Sequence, residues 1–395
     1  MTAGGTEIRL LTPADDIEPE LDLRRRAFGT ITAAMKPAWV KSVRYSMDSG
    51  HMVGVFDGPR LVGTARYHPM RQWWHGRSMP MAGVAGVKIA PEERGRGTGR
   101  AMLARLLTEI AAAGYPVSAL YPTTASVYRG SGWEFAGYKY ETTLPAQSLA
   151  RLAGPAGPGV ALRRATPDDV ELIVEITGQV HEQRREVGPN TREPWNLRDW
   201  LDHEDHFAYL ADDGFLSYRW AAGTDEIEVR DLAAGSAATA RAFWQLLAGH
   251  ATVADTVRAC LSPLDPVAWL TRDPVIQTRT RDAWMLRIID VHAAIAGRGY
   301  PAAVSVSAEL ELSDVSLPAN AGRWTLDISG GKGQLLPGGS GRSPLVLDER
   351  GFAGLYAGVP LPTMRTAGLV AGGSVTADDA LDSAFAGPAF MTDYF

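Results

Sequence analysis

One order of predicted elements occurs twice along this chain, and this repeat constrains the fold more than any other feature. Residues 9–16 (RLLTPADD) resemble residues 162–169 (LRRATPDD). Further along, a constant offset of 141 aligns five identical positions: Arg100-Ala101 with Arg241-Ala242, Leu106 with Leu247, Leu120 with Leu261, and Pro122 with Pro263. The repeat indicates an internal duplication.

Each copy is predicted to contain a strand, a helix, a hairpin, a strand, a helix and a strand. In the first copy Thr12 and Pro13 suit the N-cap and first position of a helix that follows the strand Glu7–Leu11. The other predicted elements are the hairpin at residues 51–67, repeated at 206–220, then a strand at 83–89, a helix at 98–113 and a strand at 117–121. This order predicts a mixed α/β sheet.

The length of 395 residues predicts two to three domains at about 150 residues each. A stretch rich in Gly, Pro and Ala, Leu152–Gly159, suits a linker between the copies. From about Asp290 the pattern changes to half-buried strands separated by turns, which predicts a small α+β domain. We therefore predict domains at 1–150, 151–289 and 290–395.

Composition narrows the functional classes. The net charge of −6 argues against a nucleic-acid-binding surface, and apolar stretches fall short of the roughly 18 residues that a membrane span needs. No signal peptide is visible at the N-terminus, and the single cysteine, Cys260, excludes an internal disulfide. No Cys and His spacing suggests a metal site. We expect a cytoplasmic protein with neither nucleic-acid nor membrane partners.

The motif that carries chemistry is Arg94-Gly95-Arg96-Gly97-Thr98-Gly99, between a predicted strand and a predicted helix that starts near Arg100. Glycines let the backbone approach a ligand closely, and amide N–H groups at a helix start bind anions. The arginines add positive charge beside a pyrophosphate. The alternative is a glycine-rich turn with solvated arginines, since neither a P-loop nor a dinucleotide fingerprint is present.

Together with the segment Ala125–Trp133 (ASVYRGSGW), this loop resembles the GCN5-related N-acetyltransferase (GNAT) superfamily. The resemblance implies an acetyl-CoA site in which Tyr128 is the general acid for the departing thiolate. The implied acetyl-CoA contacts are Val87, Lys88, Ile89, Arg94, Gly95, Arg96, Gly97, Thr98, Gly99, Arg100, Thr123 and Thr124. The alternative for Tyr128 is a tyrosine that only lines the core or the cleft.

The second copy lacks both features. At the offset of 141, Tyr128 corresponds to Trp269, and the equivalent of the loop, residues 231–238, has no arginine. We therefore expect the first copy to hold the single acetyl-CoA site of the chain.

Over nearly its whole length the chain resembles the Eis family of N-acetyltransferases. This resemblance rests on the domain order, on Ser126-Val127-Tyr128-Arg129, on Trp284–Val291 before an Ala-rich segment, and on the terminal Phe395. It implies tandem GNAT-like domains followed by a domain like sterol carrier protein 2, a homohexamer, and the Phe395 α-carboxylate as general base. The alternative for the last residues is a disordered tail.

The acceptor is less constrained by sequence. Phe28 and Trp39 could bind a small cationic amine by cation–π contacts, and Asp290 could pair with an ammonium group, although core packing and a solvated carboxylate are the plainer alternatives. We expect an amine N-acetyltransferase that acts on an aminoglycoside-like or polyamine acceptor. The alternatives are a protein lysine acetyltransferase and a non-catalytic acyl-CoA- or lipid-binding protein.

Overall fold

The first copy alternates strands and helices from Thr6 to Leu149. The computed structural model of the chain describes residues 6–33, 35–150, 152, 159–191, 193–272, 276–338 and 343–395. The strands of the first copy are β1 (Thr6–Leu10), β2 (Met52–Asp57), β3 (Arg60–Trp74), β4 (Arg77–Ile89), β5 (Val117–Leu120) and β6 (Glu134–Pro145). Its helices are α1 (Glu18–Phe28), α2 (Lys36–Asp48), α3 (Thr98–Ala112), α4 (Ala125–Arg129) and α5 (Ala146–Leu149).

The second copy repeats this order between Arg163 and Ile288. Its strands are β7 (Arg163–Arg164), β8 (Val187–Thr191), β9 (His206–Ala211), β10 (Gly214–Trp220), β11 (Glu226–Ala234), β12 (Thr256–Cys260) and β13 (Gln277–Ile288). Its helices are α6 (Val170–Arg184), α7 (Pro194–Leu201), α8 (Ala237–Ala248) and α9 (Val267–Leu270). The predicted linker, Leu152–Gly159, lies outside the described residues except at its two ends.

The two copies share one sheet because they exchange their last strands. The strand order is β1-β2-β3-β4-β5-β13-β6-β12-β11-β10-β9-β7. Strand β13 of the second copy is therefore inserted beside β5 of the first, and β6 of the first copy pairs with β12 of the second. Each copy completes the sheet of the other, and the mixed α/β fold predicted from the repeat is confirmed.

The third unit has its own sheet, in the order β16-β15-β14-β17-β18. Its strands are β14 (Val306–Ser313), β15 (Gly322–Ser329), β16 (Lys332–Pro337), β17 (Leu345–Asp348) and β18 (Val370–Gly372), and the final strand is β19 (Phe390–Met391). Its helices are α10 (Val291–Gly297), α11 (Glu349–Tyr356), α12 (Leu361–Thr366) and α13 (Val375–Phe385). These helices and the separate sheet confirm a different, α+β third unit. Strand β19 leaves this unit and pairs in parallel with β6.

The helix predicted to begin at Thr12 and Pro13 begins later, at Glu18, so that prediction is wrong. Asp15 accepts hydrogen bonds from the backbone N–H and the hydroxyl of Thr12, and Arg9 pairs with Asp15 at 2.6 Å. These contacts close a turn that delays the helix. The second copy repeats the arrangement with Arg163, Thr166 and Asp169. The similarity between residues 9–16 and 162–169 therefore reflects a turn that both copies share.

Charged side chains buried at the junction fix the third unit to the sheet. Arg287 of β13 pairs with Asp314 at 2.6 Å, and both side chains are almost fully buried. Asp314 also accepts from the Asn320 amide and the Leu317 backbone N–H. Arg298, also fully buried, donates to the carbonyl oxygens of Tyr356 and Phe385 within the third unit, and its guanidinium lies 5.2 Å from the centre of the Trp74 ring of β3. The orientation of the third unit, and of the tail that follows it, depends on these contacts.

Replacing Asp314 tests this junction. Asp314→Ala leaves the Arg287 charge buried and unpaired, so we expect the free energy of unfolding to fall by about 3–5 kcal/mol. The matched control is Glu311→Ala, which breaks the exposed pair with Arg323 and is expected to cost about 1 kcal/mol or less. Urea denaturation of both variants measures the difference. Equal losses would contradict the role assigned to the junction.

Candidate active site

The glycine-rich turn leaves the N-terminus of α3 open. Gly95 and Gly97 have φ values of 77° and 84°, a left-handed conformation that glycine adopts without strain. Gly97 is the N-cap of α3, no side chain caps this end, and a Cβ at either glycine would meet no atom within 4 Å. The first amides of α3, those of Thr98 and Gly99, are thus available to an anion. The helix itself is anchored by its buried apolar face, Met102, Leu103, Leu106, Leu107 and Ile110.

The three arginines of the motif lie around this open helix end. Arg96 forms a surface ion pair with Glu93 at 3.0 Å, and Arg94 Nε lies 3.4 Å from the Ile89 carbonyl oxygen. Arg100 Nη2 lies 3.8 Å from where a Cβ would be at Gly130, just beyond α4. Positive charge therefore extends from the loop towards the helix that carries Tyr128. The residues present suit a pyrophosphate.

Strands β4 and β5 separate next to this loop. Their parallel pairing runs from Met81 with Val117 to Val84 with Leu120, and then stops. Strand β4 continues to Ile89, while the segment that follows β5 turns away through Thr123 and Thr124 into α4. Unpaired backbone groups of β4 therefore face a gap into which a ligand can extend.

The Lys88 side chain does not face this gap. Its ammonium lies 2.5 Å from a Glu20 carboxylate oxygen, both side chains are buried, and burial lowers the lysine pKa to about 8. Of the predicted acetyl-CoA contacts, Lys88 can therefore contribute only its backbone.

Tyr128 lies in α4 with its ring packed edge-on against Trp133, 6.3 Å between centroids. Burial, with a smaller contribution from Tyr394, raises its pKa to about 12. The phenol is thus protonated throughout the physiological pH range, as a proton donor must be. It is a weaker acid than a free phenol, because burial desolvates its charged form.

The C-terminal tail ends in the same region. Tyr121, the first residue after β5, donates a hydrogen bond of 2.6 Å to the Asp393 carbonyl oxygen. Its ring stacks on Tyr394 at 4.6 Å and meets Phe395 edge-on at 5.5 Å. A Cβ at Gly83 in β4 would lie 2.9 Å from the Phe395 ring, so only glycine allows this approach. The last residue therefore packs on the strand next to the gap.

A cleft of about 230 Å³ lies beside Phe395, and sequence reasoning missed several of its walls. They include Arg66 and His68 of β3 and Glu193 before α7. Burial, Arg66 and His51 lower the His68 pKa to about 3, and burial lowers that of Arg66 to about 10. The register between β3 and β4 could have identified His68, because it places this residue opposite Gly83, the glycine on which Phe395 packs.

Two of the predicted acceptor residues, Trp39 and Phe28, lie beside cations of the chain itself. The Trp39 ring already faces three cations of the chain, Arg24 at 5.2 Å, Arg66 at 4.9 Å and Lys88 at 5.6 Å. Phe28 ends α1, is about half exposed and faces Arg24 at 5.6 Å. These internal cations therefore occupy ring positions at which a substrate amine was expected to bind.

Asp290 lies away from the gap. Its carboxylate caps α10 by accepting from the Ala293 N–H at 2.9 Å, and its own N–H bonds to Pro116, before the start of β5. Tyr121 follows the opposite end of that strand. Asp290 is therefore not part of the proposed acceptor site. Its place in the sequence, directly before α10, is typical of a helix N-cap.

The second copy closes the helix end that the first leaves open. Ser236 caps α8 by accepting from the Thr239 N–H at 3.2 Å, and the Asp213 carboxylate bonds to the Thr239 hydroxyl. A cap and a negative charge thus occupy the place of a pyrophosphate. Trp269, at the position of Tyr128, is 69% exposed and has no acidic proton to give.

Known proteins agree with this architecture. Models of the acetyltransferase (GNAT) domain match residues 7–136 and 188–288, and that of the sterol carrier protein domain matches residues 291–391. A GCN5-related N-acetyltransferase from Kribbella flavida is 40% identical, with a TM-score of 0.93 over 100% of this chain and 99% of its own. N-acetyltransferase Eis from Mycobacterium tuberculosis is 29% identical over 96% of this chain and 97% of its own.

Eis1 from Mycobacterium abscessus has 26% identity and a TM-score of 0.79 over 99% of this chain and 100% of its own. Two GNAT domains joined to a sterol-carrier-like unit define an N-acetyltransferase that uses acetyl-CoA. The chain belongs to the Eis family of GCN5-related N-acetyltransferases. In the described ranges, no helix is long and apolar enough to span a membrane, and no group of three or more potential ligands could hold a metal.

The asymmetry between the copies predicts one acetyl-CoA per chain. Isothermal titration calorimetry should give a stoichiometry of one for the full chain, because α3 offers uncapped amides beside arginines whereas its counterpart α8 is capped by Ser236. Arg94→Ala with Arg100→Ala should weaken that binding, whereas Arg241→Ala in α8, the control, should leave it unchanged. Two equivalents bound per chain would contradict the asymmetry.

Proposed function

We propose that the first copy transfers acetyl from acetyl-CoA to an amine of a small cationic acceptor, aminoglycoside-like or a polyamine. The observation that carries this proposal is the packing of the Phe395 ring on Gly83 of β4 and on Tyr121, beside the gap between β4 and β5. The neighbouring Tyr394 is near enough to Tyr128 to contribute to the raised pKa of that phenol. A proton donor and a carboxylate are thus proposed to act at one site. Acetyl transfer to an amine requires a group of each kind.

The acetyl-CoA molecule supplies a reactive thioester carbonyl and a thiolate leaving group. The residues proposed to hold it are the uncapped amides of Thr98 and Gly99 together with Arg94, Arg96 and Arg100. Free backbone groups of Val87 and Ile89 would orient the pantetheine arm. This assignment rests on the open space at Gly95 and Gly97 and on the gap beside β4.

The Phe395 α-carboxylate is proposed to take the proton from the acceptor. An alkylammonium with a pKa near 10.4 is about one part in a thousand neutral at pH 7.4, a cost of about 4 kcal/mol. A carboxylate is a weak base unless desolvation raises its pKa or a water relays the proton. The buried positive charge of Arg66 beside the same cleft disfavours the ammonium form, and so assists deprotonation.

Tyr128 is proposed to donate its phenolic proton to the departing sulfur. The proton lost by the nitrogen as the amide forms can then restore the phenol, so each turnover releases one proton in total. With pKa values of about 12 and 8.5 for phenol and thiol, complete transfer is uphill by about 5 kcal/mol. A hydrogen bond that strengthens as the bond to sulfur breaks is therefore the main contribution.

Carboxylates support a cationic acceptor. Glu193 lies at the cleft beside Phe395, held by the Tyr45 hydroxyl at 2.6 Å and the Trp195 indole at 2.7 Å. With the terminal carboxylate and Asp393, it can pair with ammonium groups beyond the reacting one. Lysine side chains remain the second acceptor class. The alternative of a protein that only binds acyl-CoA or lipid has less support, because such a protein has no need of a proton donor at Tyr128.

We also propose a homohexamer located in the cytoplasm, where acetyl-CoA is supplied. The assembly follows from the resemblance to the family, and two exposed apolar side chains of the second copy support it. Leu264 is 62% exposed and Trp269 is 69% exposed. Side chains of this size are commonly buried at interfaces between subunits.

The reaction is tested by release of the CoA thiol with a panel of aminoglycosides, polyamines and lysine peptides. Tyr128→Phe should lower kcat by about 100-fold or more, because it removes the proton donor while keeping the ring. Tyr140→Phe, which removes a phenol from β6 outside the gap, should not. An unchanged rate for Tyr128→Phe would remove its assignment, and no release with any amine would favour a binding protein.

Deleting Phe395 tests the proposed base. The truncated chain ends at Tyr394, so its carboxylate moves away by one residue, about 3.3 Å. We expect a large fall in kcat with acetyl-CoA affinity kept. The control is Phe395→Leu, which retains the terminal carboxylate in place and should lose much less. Full turnover by the truncated chain would show that the carboxylate is not the base.

Light scattering tests the assembly. The native chain should have six times the mass of one 42.5 kDa chain. Leu264→Glu with Trp269→Glu should give smaller species if this patch is at an interface, since charge is costly to bury. Leu172→Glu, which changes an exposed apolar residue of α6, is the control. A monomeric native chain would remove the proposal.

A further inference from the structure

The second copy contains a cavity of about 100 Å³ in the position of the first copy's gap. Strands β11 and β12 pair in parallel up to Val229 with Ala259, as β4 and β5 do in the first copy. Beyond that point the cavity lies between the continuing strands, and α6 and β8 contribute to its walls. The cap on α8 excludes a pyrophosphate here, so the space is not explained by acetyl-CoA.

An unpartnered amide faces this cavity. Asn190 of β8 is 6% exposed, and both its amide nitrogen and its amide oxygen are buried without a hydrogen-bond partner. Leaving such a group unpaired costs about 1–3 kcal/mol. A ligand with one hydrogen-bond donor and one acceptor would satisfy both atoms.

The charged groups deeper in the cavity favour a cation. Glu186 lies 2.5 Å from His181 Nδ1, and a single guanidinium, that of Arg184, lies 3.7 Å from Glu186 and 3.8 Å from Asp265. Two carboxylates thus share one guanidinium and one imidazole. Arg230, Asp231 and Asp393 also line the cavity, but each has further partners.

Asp265 is almost fully buried, and burial raises its pKa to about 6. A bound ammonium would favour its charged form. Apolar side chains also line the cavity, Ile173, Leu197 and Phe215 among them, and can pack against methylene groups.

We infer that this cavity binds a small amino alcohol, with the ammonium group at Glu186 and Asp265 and the hydroxyl group at the Asn190 amide. The volume equals that of about three waters, which suits a group of a few heavy atoms. No residue there corresponds to Tyr128, so the ligand is bound and not acetylated. The ligand is either a free molecule or one end of a larger aminosugar-like acceptor, because Thr392 and Asp393 of the tail line the same cavity.

The test measures binding to the full chain without acetyl-CoA, so it is independent of the proposed reaction. Ethanolamine carries both groups, ethylamine only the ammonium and ethylene glycol only the hydroxyl. Saturation-transfer NMR titrations should show ethanolamine binding about tenfold or more tightly than either analogue, since each loses a contact. Asn190→Leu and Glu186→Gln should each weaken ethanolamine binding about tenfold. Glu171→Gln, on the exposed face of α6, should not.

Acetyl-CoA binding serves as the check that each variant is folded. Equal affinity of ethanolamine for the native chain and for both cavity variants would overturn the inference, as would the absence of saturable binding. With a larger aminosugar acceptor, competitive inhibition by ethanolamine would identify the cavity as the site for one end of the acceptor. Inhibition that is not competitive, lost in Asn190→Leu, would identify a separate ligand. Either pattern supports the site.

Discussion

The exchange of β6 and β13 between the two copies is the constraint on which the rest of this structure depends. Strand β6 is held on one side by β13 and on the other by β12, so its position requires both copies to be folded. The final strand β19 pairs with β6 at Tyr138 and Lys139, and glycines at 137 and 188 leave room for its backbone. The tail therefore reaches the gap between β4 and β5 only when the shared sheet is complete. This links the fold of the whole chain to the proposed catalytic centre.

The two copies differ in a few side chains at equivalent helix ends, and we propose that this difference confines acetyl-CoA to the first copy. In the first, left-handed glycines end the loop and the amides of α3 stay free. In the second, Ser236 occupies the N-cap and Asp213 adds a negative charge nearby. Both helices remain well packed, through Leu106 in one and Phe243 in the other. The second copy also supplies β13, which pairs with β5 of the first copy, and leads into the third unit.

Local patterns were readable from sequence, and contacts between distant residues were not. The repeated Arg, Thr and Asp motif indicated the duplication, although it proved to close a turn before α1 instead of starting the helix. The glycine-rich loop was recognisable because its function depends on adjacent residues. The strand exchange had no such signal, since pairing of β5 with β13 joins residues more than 160 positions apart. The hydrogen bond from Tyr121 to the tail spans 272 positions, and the capping role of Asp290 depends on where α10 begins.

The central claim is that the end of the chain completes the active site of its first copy. The most direct measurement uses a semisynthetic protein in which the Phe395 carboxylate is replaced by a carboxamide. This change keeps every side chain and removes only the charge and basicity of the terminus. We predict that kcat falls by about 100-fold or more while acetyl-CoA affinity is unchanged. A carboxamide protein with native kcat would contradict the claim.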